Sequence, residues 1–550
     1  MTARSRRAAI VAATVSLVGA LSLSGCGSSA DEIHYAVDGT LVTYNTNTVA
    51  GAASGGPQAF ARVLTGFNYH GPEGQVVGDR DFGTVAVVGR APLVLDYQIS
   101  DNAVYSDGKP VTCDDMVLAW AAQSGRFPGF DAATRAGYID VAAVDCTPGQ
   151  KKARVSFAQD RAFVDFGQLF AATAMMPSHV IADELGEGDA GVTNAVQSAD
   201  LPTIARIAEL WNTTWDLKPD LDVKRFPSSG PYKLSSVSDA GAVELVANDK
   251  WWGAKPLTQK ITVWPRGADI QDRVNEGDYD VVDIAAGSSG TLNLPDGYTR
   301  SDSASAGIEQ LIFAPQGPLA DPAARRAVAL CTPRDQIAQN AEVPLANSRL
   351  NAAAEDSITA AESAAEGGQF SAANPIAARD AIAGRPLTVR IGYQSPNARL
   401  AATVGTIARS CEAAGITVED AASETVGPLS LRDNEIDVLI ASTGGATGSG
   451  SSGSSAVDAY DLFTGNGNNL SGYTNERIDG VISALAVSAD PKELARLLGE
   501  GAPVLWDDMP TLPLYRQQRT LLTSTKMTAV SSNPTRWGAG WNMDRWELTS

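Results

Sequence analysis

Phe226-Pro227-Ser228-Ser229-Gly230-Pro231-Tyr232-Lys233-Leu234, continued at 243–253 by Val-Glu-Leu-Val-Ala-Asn-Asp-Lys-Trp-Trp-Gly, spells a β-hairpin. Ser228 to Pro231 is a turn cluster, Tyr232 to Val237 alternates in polarity, Asp239-Ala240-Gly241 turns the chain, and Val243 to Ala247 alternates back. Trp251 and Trp252 then close the unit with large apolar surface.

Working outward, Ile261 to Trp264 predicts a strand, Asp269 to Asn275 a helix, and Tyr279 to Asp283 entry into another strand. Ile308 to Ala314 is a further strand that crosses between units. Upstream, 187–224 is polar at both ends and predicts an insert with a helix over Leu201 to Thr213. Phe163 to Ala172 predicts an apolar helix, and Ala153 to Phe157 a strand. At 107–117, Asp107-Gly108 makes a tight turn, and Thr112 with Asp115 three residues on forms a capping box. Met116, Ala119 and Trp120 give the helix that follows an apolar face.

Downstream, Asp321-Pro322 supplies an N-cap with proline at the first helical position. Residues 352–384 are rich in Ala, Glu and Gly and are expected to form a mobile surface excursion. Leu387 to Tyr393, Ala398 to Ala414 and Gly415 to Val418 run strand, helix, strand, which indicates a parallel α/β unit. Gly444 to Ser455 is a Gly/Ser run without the Gly-Lys-Ser/Thr ending of a phosphate loop, and composition alone makes it a flexible linker.

A chain of 550 residues is too long for one core, so two or three packed units are expected. The net charge of −21 opposes phosphate backbones, which excludes nucleic acid as a natural partner. At the start, Arg4, Arg6 and Arg7 precede an apolar run from Ala8 to Leu21, and Leu23-Ser24-Gly25-Cys26 follows. That pattern resembles a lipobox: residues 1–25 are a lipoprotein signal peptide, Cys26 is the lipidated N-terminus, and 26–31 are the tether. Two or three acyl chains hold a protein stably on a membrane, here on the extracytoplasmic face. Removing Arg4, Arg6 and Arg7, with no acid lost, takes the charge to −24. The other cysteines, Cys113, Cys146, Cys331 and Cys411, allow three pairings and contain no C-x-x-C. An exported compartment favours disulfides over zinc.

Ser229-Gly230-Pro231-Tyr232-Lys233 ahead of Asn248-Asp249-Lys250-Trp251-Trp252-Gly253 resembles the mid-chain signature of the family 5 extracellular solute-binding proteins, the peptide- and nickel-type receptors of ABC importers. Four more runs match that family in its order. They are Asp107 to Val117, Asp321 to Ile337, Asn469 to Asp479, and Pro510 to Tyr515. Within the family the chain resembles a mycobacterial lipoprotein. Thr43-Tyr44-Asn45 departs from the pattern, standing where the family has a Leu-Asp-Pro-like turn.

The resemblance implies an α/β, two-lobed periplasmic-binding type II fold with an extra inserted domain, three domains in all. The first would comprise 32–52, 177–304 and 517–550, the second 53–176, and the third 305–516. With those lobes, Cys113 pairs with Cys146 and Cys331 with Cys411, each bridge contributing about 3 to 4.5 kcal/mol in the chain-entropy picture. The implied function is capture of a peptide or peptide-like ligand between lobes and delivery to an ABC permease, by a monomer without cofactor or metal.

Peptide receptors of this family commonly hold the ligand's ammonium with an Asp in the third domain, after the strand that here is Asp437 to Ile440. This chain offers no acid there until Asp458. Either Asp458 takes that role or the ligand is not an ordinary free-amine di- or tripeptide. Tyr44, Asn45, Asn47, Ser449 and Ser451 are the expected polar contacts. An envelope accessory lipoprotein that keeps the fold without transport is the alternative. A hydrolase is disfavoured: His34, His70 and His179 lack metal spacing, and no G-x-S-x-G or H-E-x-x-H occurs.

Overall fold

The computed structural model describes residues 32–267, 269–350 and 367–549. Cys26, the 1–25 signal peptide, the 26–31 tether and residues 352–366 of the expected surface excursion lie outside the described residues.

One ten-stranded sheet runs through both lobes. Its order is Ile416–Asp420, Leu387–Gly392, Val438–Ser442, Tyr298–Phe313, Thr511–Ser524, Val281–Ala285, Glu32–Val37, Lys260–Trp264, Val243–Ala247 and Tyr232–Val237. The last two strands are the hairpin of the sequence reading, paired antiparallel with Tyr232 opposite Ala247. Leu387–Gly392 lies parallel to both of its neighbours, as the strand-helix-strand pattern requires.

The two long central strands carry the chain between lobes. Residues 519–523 of Thr511–Ser524 pair with Val281–Ala285 of the first lobe, while 309–313 of Tyr298–Phe313 pair with Val438–Ser442 of the other. Their mutual register breaks between Ala304 and Ile308. The crossing strand therefore starts ten residues before the expected Ile308, at Tyr298. Its first half, Tyr298 to Ser303, is mostly exposed and polar, so no apolar alternation announces it; pairing against Thr511–Ser524 makes it a strand.

A separate antiparallel sheet, ordered Gly83–Arg90, Leu93–Ile99, Lys152–Phe157 and Val141–Cys146, lies within the insert of the first lobe. The helix Cys113–Gln123 packs on it, capped reciprocally by Thr112 and Asp115. A Cys113–Cys146 disulfide ties that helix to Val141–Cys146 at the sheet's edge, and a Cys331–Cys411 disulfide joins helices Pro322–Cys331 and Ala398–Glu412. The expected helix over Phe163 to Ala172 is not formed; only Phe166–Gln168 turns, as a 3-10 segment. Its backbone is drawn to neighbours instead, Phe67 N–H to Phe170 O, Ala172 N–H to Asn68 O and Phe170 N–H to the Tyr138 hydroxyl. The Leu201–Thr213 helix forms, preceded by a second helix, Gly191–Ser198.

The lobes share a core. Met116, Leu118, Tyr138 and Phe170 belong to one contiguous apolar cluster with Tyr460, Leu462, Ile482 and Leu485 of the other lobe. Main-chain bonds cross the same seam, Val164 N–H to Ala486 O at 3.0 Å and Asn468 N–H to Ala133 O at 2.7 Å. The Trp-rich tail returns to the first lobe, where Trp546 meets Tyr35 edge-on and Trp537 stacks on His70.

Candidate interlobe ligand site

The cleft between the lobes is occupied by the chain itself. Val438–Ser442 ends in a turn, Thr443–Gly445, whose Gly444 and Gly445 have φ of 71° and 77°. The Gly/Ser run then threads between the lobes. Thr447 Oγ1 donates to Asp38 O at 3.0 Å, Ser449 Oγ donates to Pro534 O at 2.8 Å, and Arg536 N–H donates to Ser451 O at 2.9 Å. The Ser454 hydroxyl reaches Asp165 of the insert. Most of this segment is buried. It is a fitted plug and not the flexible linker that its composition suggests. Glycine is needed for fit: a Cβ on Gly450 would lie 1.6 Å from Thr443 O.

Two carboxylates sit beneath the plug. Asp458, 8% exposed, accepts from Ser451 Oγ at 2.6 Å and from Ser452 N–H at 2.9 Å. Asp461, three residues on around the turn that follows helix Ser455–Asp458, accepts from Gly444 N–H at 2.8 Å. Burial raises the Asp458 carboxyl above its ordinary value. Asp461 goes up further, through burial first and the charge of Asp458 second. The charge of Arg536 acts on both acids in the opposite direction, yet its own burial outweighs their pull and lowers its pKa. The two acids line a cavity of about 40 Å³ together with Thr443, Gly444, Asn468 and Arg349.

The floor of the cleft is a separate, balanced ionic layer. Asp38 pairs with Arg266 at 2.8 Å, Glu309 with Arg399 at 2.7 Å, and Asp283 with Arg519 at 2.6 Å, all at most 9% exposed at the side chain. Three acids face three arginines there, so the floor carries no surplus charge. Two of these arginines also clamp the lobes: Arg266 donates to Gln394 O and Arg399 to Ala286 O.

Of the residues nominated from sequence, Asp458, Ser449 and Ser451 meet at this cleft. Tyr44, Asn45 and Asn47 are buried in the wall, with their polar groups engaged by the protein. Tyr44 Oη contacts Ser228 Oγ at 2.9 Å, Asn45 Nδ2 donates to Trp211 O at 2.9 Å, and Asn47 Nδ2 donates to Thr173 O at 2.8 Å. The sequence reading missed Asp461, Arg349 and Arg536. The i, i+3 spacing of Asp458 and Asp461 was the available signal for the first; nothing local marks the two arginines. Among the described residues the one cluster with metal-ligand spacing, Cys113, Asp114 and Cys146, is spent in a disulfide.

Residues 91–461 match the family described as bacterial extracellular solute-binding proteins, family 5 Middle, and the chain belongs to that family. It is 69% identical over 543 residues to the uncharacterized lipoprotein Rv2585c of Mycobacterium tuberculosis, covering 98% of this chain and 97% of the relative. Two solved structures share the fold. The oligopeptide-binding protein AppA of Bacillus subtilis, in complex with a nonapeptide, has a TM-score of 0.73 at 14% identity, over 94% of this chain and 99% of that one. NikZ of Campylobacter jejuni, in complex with Ni(L-His), has a TM-score of 0.71 at 14% identity, over 94% and 100%. Proteins of this family are ligand binders, and no helix of the described residues is long and apolar enough to cross a membrane.

Proposed function

We propose that this chain is a lipid-anchored, extracytoplasmic receptor that takes a small ammonium-bearing solute, peptide or peptide-like, between its lobes and passes it to an ABC importer. The observation that carries this reading is the Asp458–Asp461 pair, held beneath the plug that crosses between the lobes and beside a small cavity lined by third-domain residues. A buried acid and a half-buried one sharing one field are costly unless a cation or a proton joins them. An incoming ammonium would serve, hydrogen-bonded by Asp458, with Ser449 and Ser451 released from their present partners to face the ligand. Tyr44, Asn45 and Asn47 shape the wall. Cys26 provides the anchor, in keeping with the lipoprotein name of the 69% identical relative. The domain limits 32–52, 177–304 and 517–550; 53–176; and 305–516 put the hinge at the register break between Ala304 and Ile308.

A specific observation favours the accessory reading as the second choice. The apolar seam from Met116 to Leu485 and the seated plug join the lobes through contacts of the chain itself. Mass spectrometry of solutes released from the detergent-solubilised full chain, followed by calorimetry, separates the two. An amine-bearing solute lost on Asp458→Asn supports the receptor; no bound solute, and no heat from amine-bearing candidates, supports the accessory role.

A further inference from the structure

One end of the first-lobe sheet is tied to the lipid. Cys26 stands six residues before Glu32, which opens strand Glu32–Val37. An extended chain gains at most ~3.3–3.6 Å per residue, so Glu32 is held within about 22 Å of Cys26. Glu32 lies in register with Lys260, the first residue of the parallel strand Lys260–Trp264. The loop that leads from Ala247 to Lys260 therefore opens on the end of the sheet where the tether arrives. In a chain with 63 acids and 42 Lys and Arg, residues 250–260 read Lys-Trp-Trp-Gly-Ala-Lys-Pro-Leu-Thr-Gln-Lys, three lysines and no acid. Lys260 is engaged by Glu32 and Glu244. Lys250 and Lys255 are exposed, and among the described residues neither forms an ion pair. The acids beside them are occupied: Asp249 pairs with Lys233, and Asp81 accepts from Ala254 N–H. Leu257 is 56% exposed. Trp252 is half-buried and already gives its indole N–H to Asp81 O at 2.6 Å, so the part of its ring that faces outward is apolar. The loop is held in place by Trp251 Nε1 donating to Ala254 O and Thr258 Oγ1 donating to Trp546 O, both at 2.9 Å.

We propose that loop 250–260 is a membrane-contact face, with Leu257 and Trp252 entering the headgroup region of the membrane that holds the anchor and Lys250 and Lys255 facing anionic lipid. This rests on Cys26 being the anchor and goes beyond it, because an anchor alone leaves the body free to tumble about its tether. A strongly acidic body is repelled by anionic lipid, so the surface that rests on the membrane has to be free of unpaired acids. Tryptophan is at home at the membrane-water boundary, and each lysine near an anionic surface favours contact about fivefold. The acyl chains supply capture, so the loop has only to orient a body already held there. Exposure alone does not select this face. Leu201 is 57% exposed, but it opens a helix whose Trp211 O is bonded by Asn45, past the other end of strand Glu32–Val37. With the loop on the lipid, that strand runs away from the membrane. Asp38 of the cleft floor, six residues on from Glu32, then stands up to about 20 Å above the surface.

The test uses the full chain reconstituted into phosphatidylcholine vesicles with and without phosphatidylglycerol, and a nitroxide label on Leu257→Cys, with Leu201→Cys as the control of matched exposure. In the anionic vesicles, power saturation should show the Leu257→Cys label several-fold more accessible to oxygen, relative to a water-soluble nickel chelate, than the Leu201→Cys label. Lys250→Gln with Lys255→Gln should lower the ratio of docked to undocked protein by about fivefold for each lysine, and removal of phosphatidylglycerol should lower it likewise. Should the added cysteine disturb the two disulfides, bromolipid quenching of the unaltered chain reads Trp252 directly, and Trp252→Phe should lose that share of the quenching. A Leu257→Cys label as aqueous as the control, on a chain that stays with the vesicles, would overturn the contact face and leave the anchor standing. A chain that does not stay with the vesicles would remove the anchor and this inference together. Docking unchanged by both lysine substitutions would overturn the assignment to anionic lipid. Burial of the label in native membranes but not in vesicles would assign the face to a protein partner and overturn it as well.

Discussion

Replacing Gly450 with Ala should unseat the plug. An added Cβ would stand 1.6 Å from Thr443 O and 2.8 Å from Thr443 C, both backbone atoms. Relief needs a shift of well over 1 Å, far beyond what a rotamer change can supply. The atoms that must move belong to the turn whose Gly444 N–H holds Asp461 at 2.8 Å and to the run whose Ser449 Oγ holds Pro534 O at 2.8 Å. The bond from Arg536 N–H to Ser451 O at 2.9 Å lies on the same run. Losing three such bonds at about 1 kcal/mol net each weakens the seat by about 3 kcal/mol. That is roughly a hundredfold in the ratio of seated to unseated loop. Amide hydrogen exchange over 447–454 should therefore accelerate by about two orders of magnitude, while strands such as Val281–Ala285 keep their protection. Gly480→Ala is the control, because a Cβ there meets nothing within 4 Å inside the helix Glu476–Leu485. Unchanged exchange in Gly450→Ala would refute the seated plug.

Four further outcomes are expected. Cys331→Ser with Cys411→Ser, which opens a loop with a sequence separation of 80, should lower stability by about 4 kcal/mol, read from chemical denaturation of the third-domain transition. Asp283→Ala should cost about 3–5 kcal/mol by stranding Arg519 in the floor, and Asp283→Ala combined with Arg519→Leu should cost less than Asp283→Ala alone. The pH dependence follows from Asp461, whose folded pKa is raised above its unfolded value. Between those two values the folded state binds more protons, so this contribution is complete below the unfolded pKa and is lost as pH rises through the folded one. Asp461→Asn should flatten that fall and raise the melting temperature at neutral pH; an unaltered profile would remove Asp461 as its source. Cys26→Ala should move the protein from the membrane fraction to the soluble one, and retention in the membrane would place the anchor elsewhere.

The hairpin, the capping box at Thr112 and the parallel strand-helix-strand unit were legible because each is written in local chemistry: turn residues, a cap three residues from its partner, and alternation of period two. The first half of the crossing strand was not, since Thr299 to Ser303 is polar and becomes a strand only by lying beside Arg519 to Thr523. Phe163 to Ala172 misled for the opposite reason. Its apolar content marks burial, and burial here is achieved without a helix because Phe67, Asn68 and Tyr138 take its backbone groups. Asp458 could be picked out as the first acid after the Asp437 to Ile440 strand, whereas Arg349 is separated from it by more than a hundred positions and joins it only across the crossing strands.

The Gly/Ser run shows why composition misleads most where packing is tightest. Small residues are what a free linker needs, and they are also what a segment needs when it must pass within van der Waals contact of backbone on several sides. The two cases differ in where the polar groups go. In a linker the serine hydroxyls face water; here Thr447, Ser449, Ser451 and Ser454 each reach a named acceptor on the far wall or beneath the loop. Those same hydroxyls are the groups a solute would compete for. A plug held by about one hydrogen bond per contact, each worth about 1 kcal/mol, is strong enough to stay seated and weak enough to be exchanged for a solute that offers the same walls comparable bonds. The Gly450→Ala variant therefore probes that exchange: loosening the plug should tighten binding of any solute that has to displace it, and equal affinity of the variant and the unaltered chain for such a solute would show that the plug is not what it displaces.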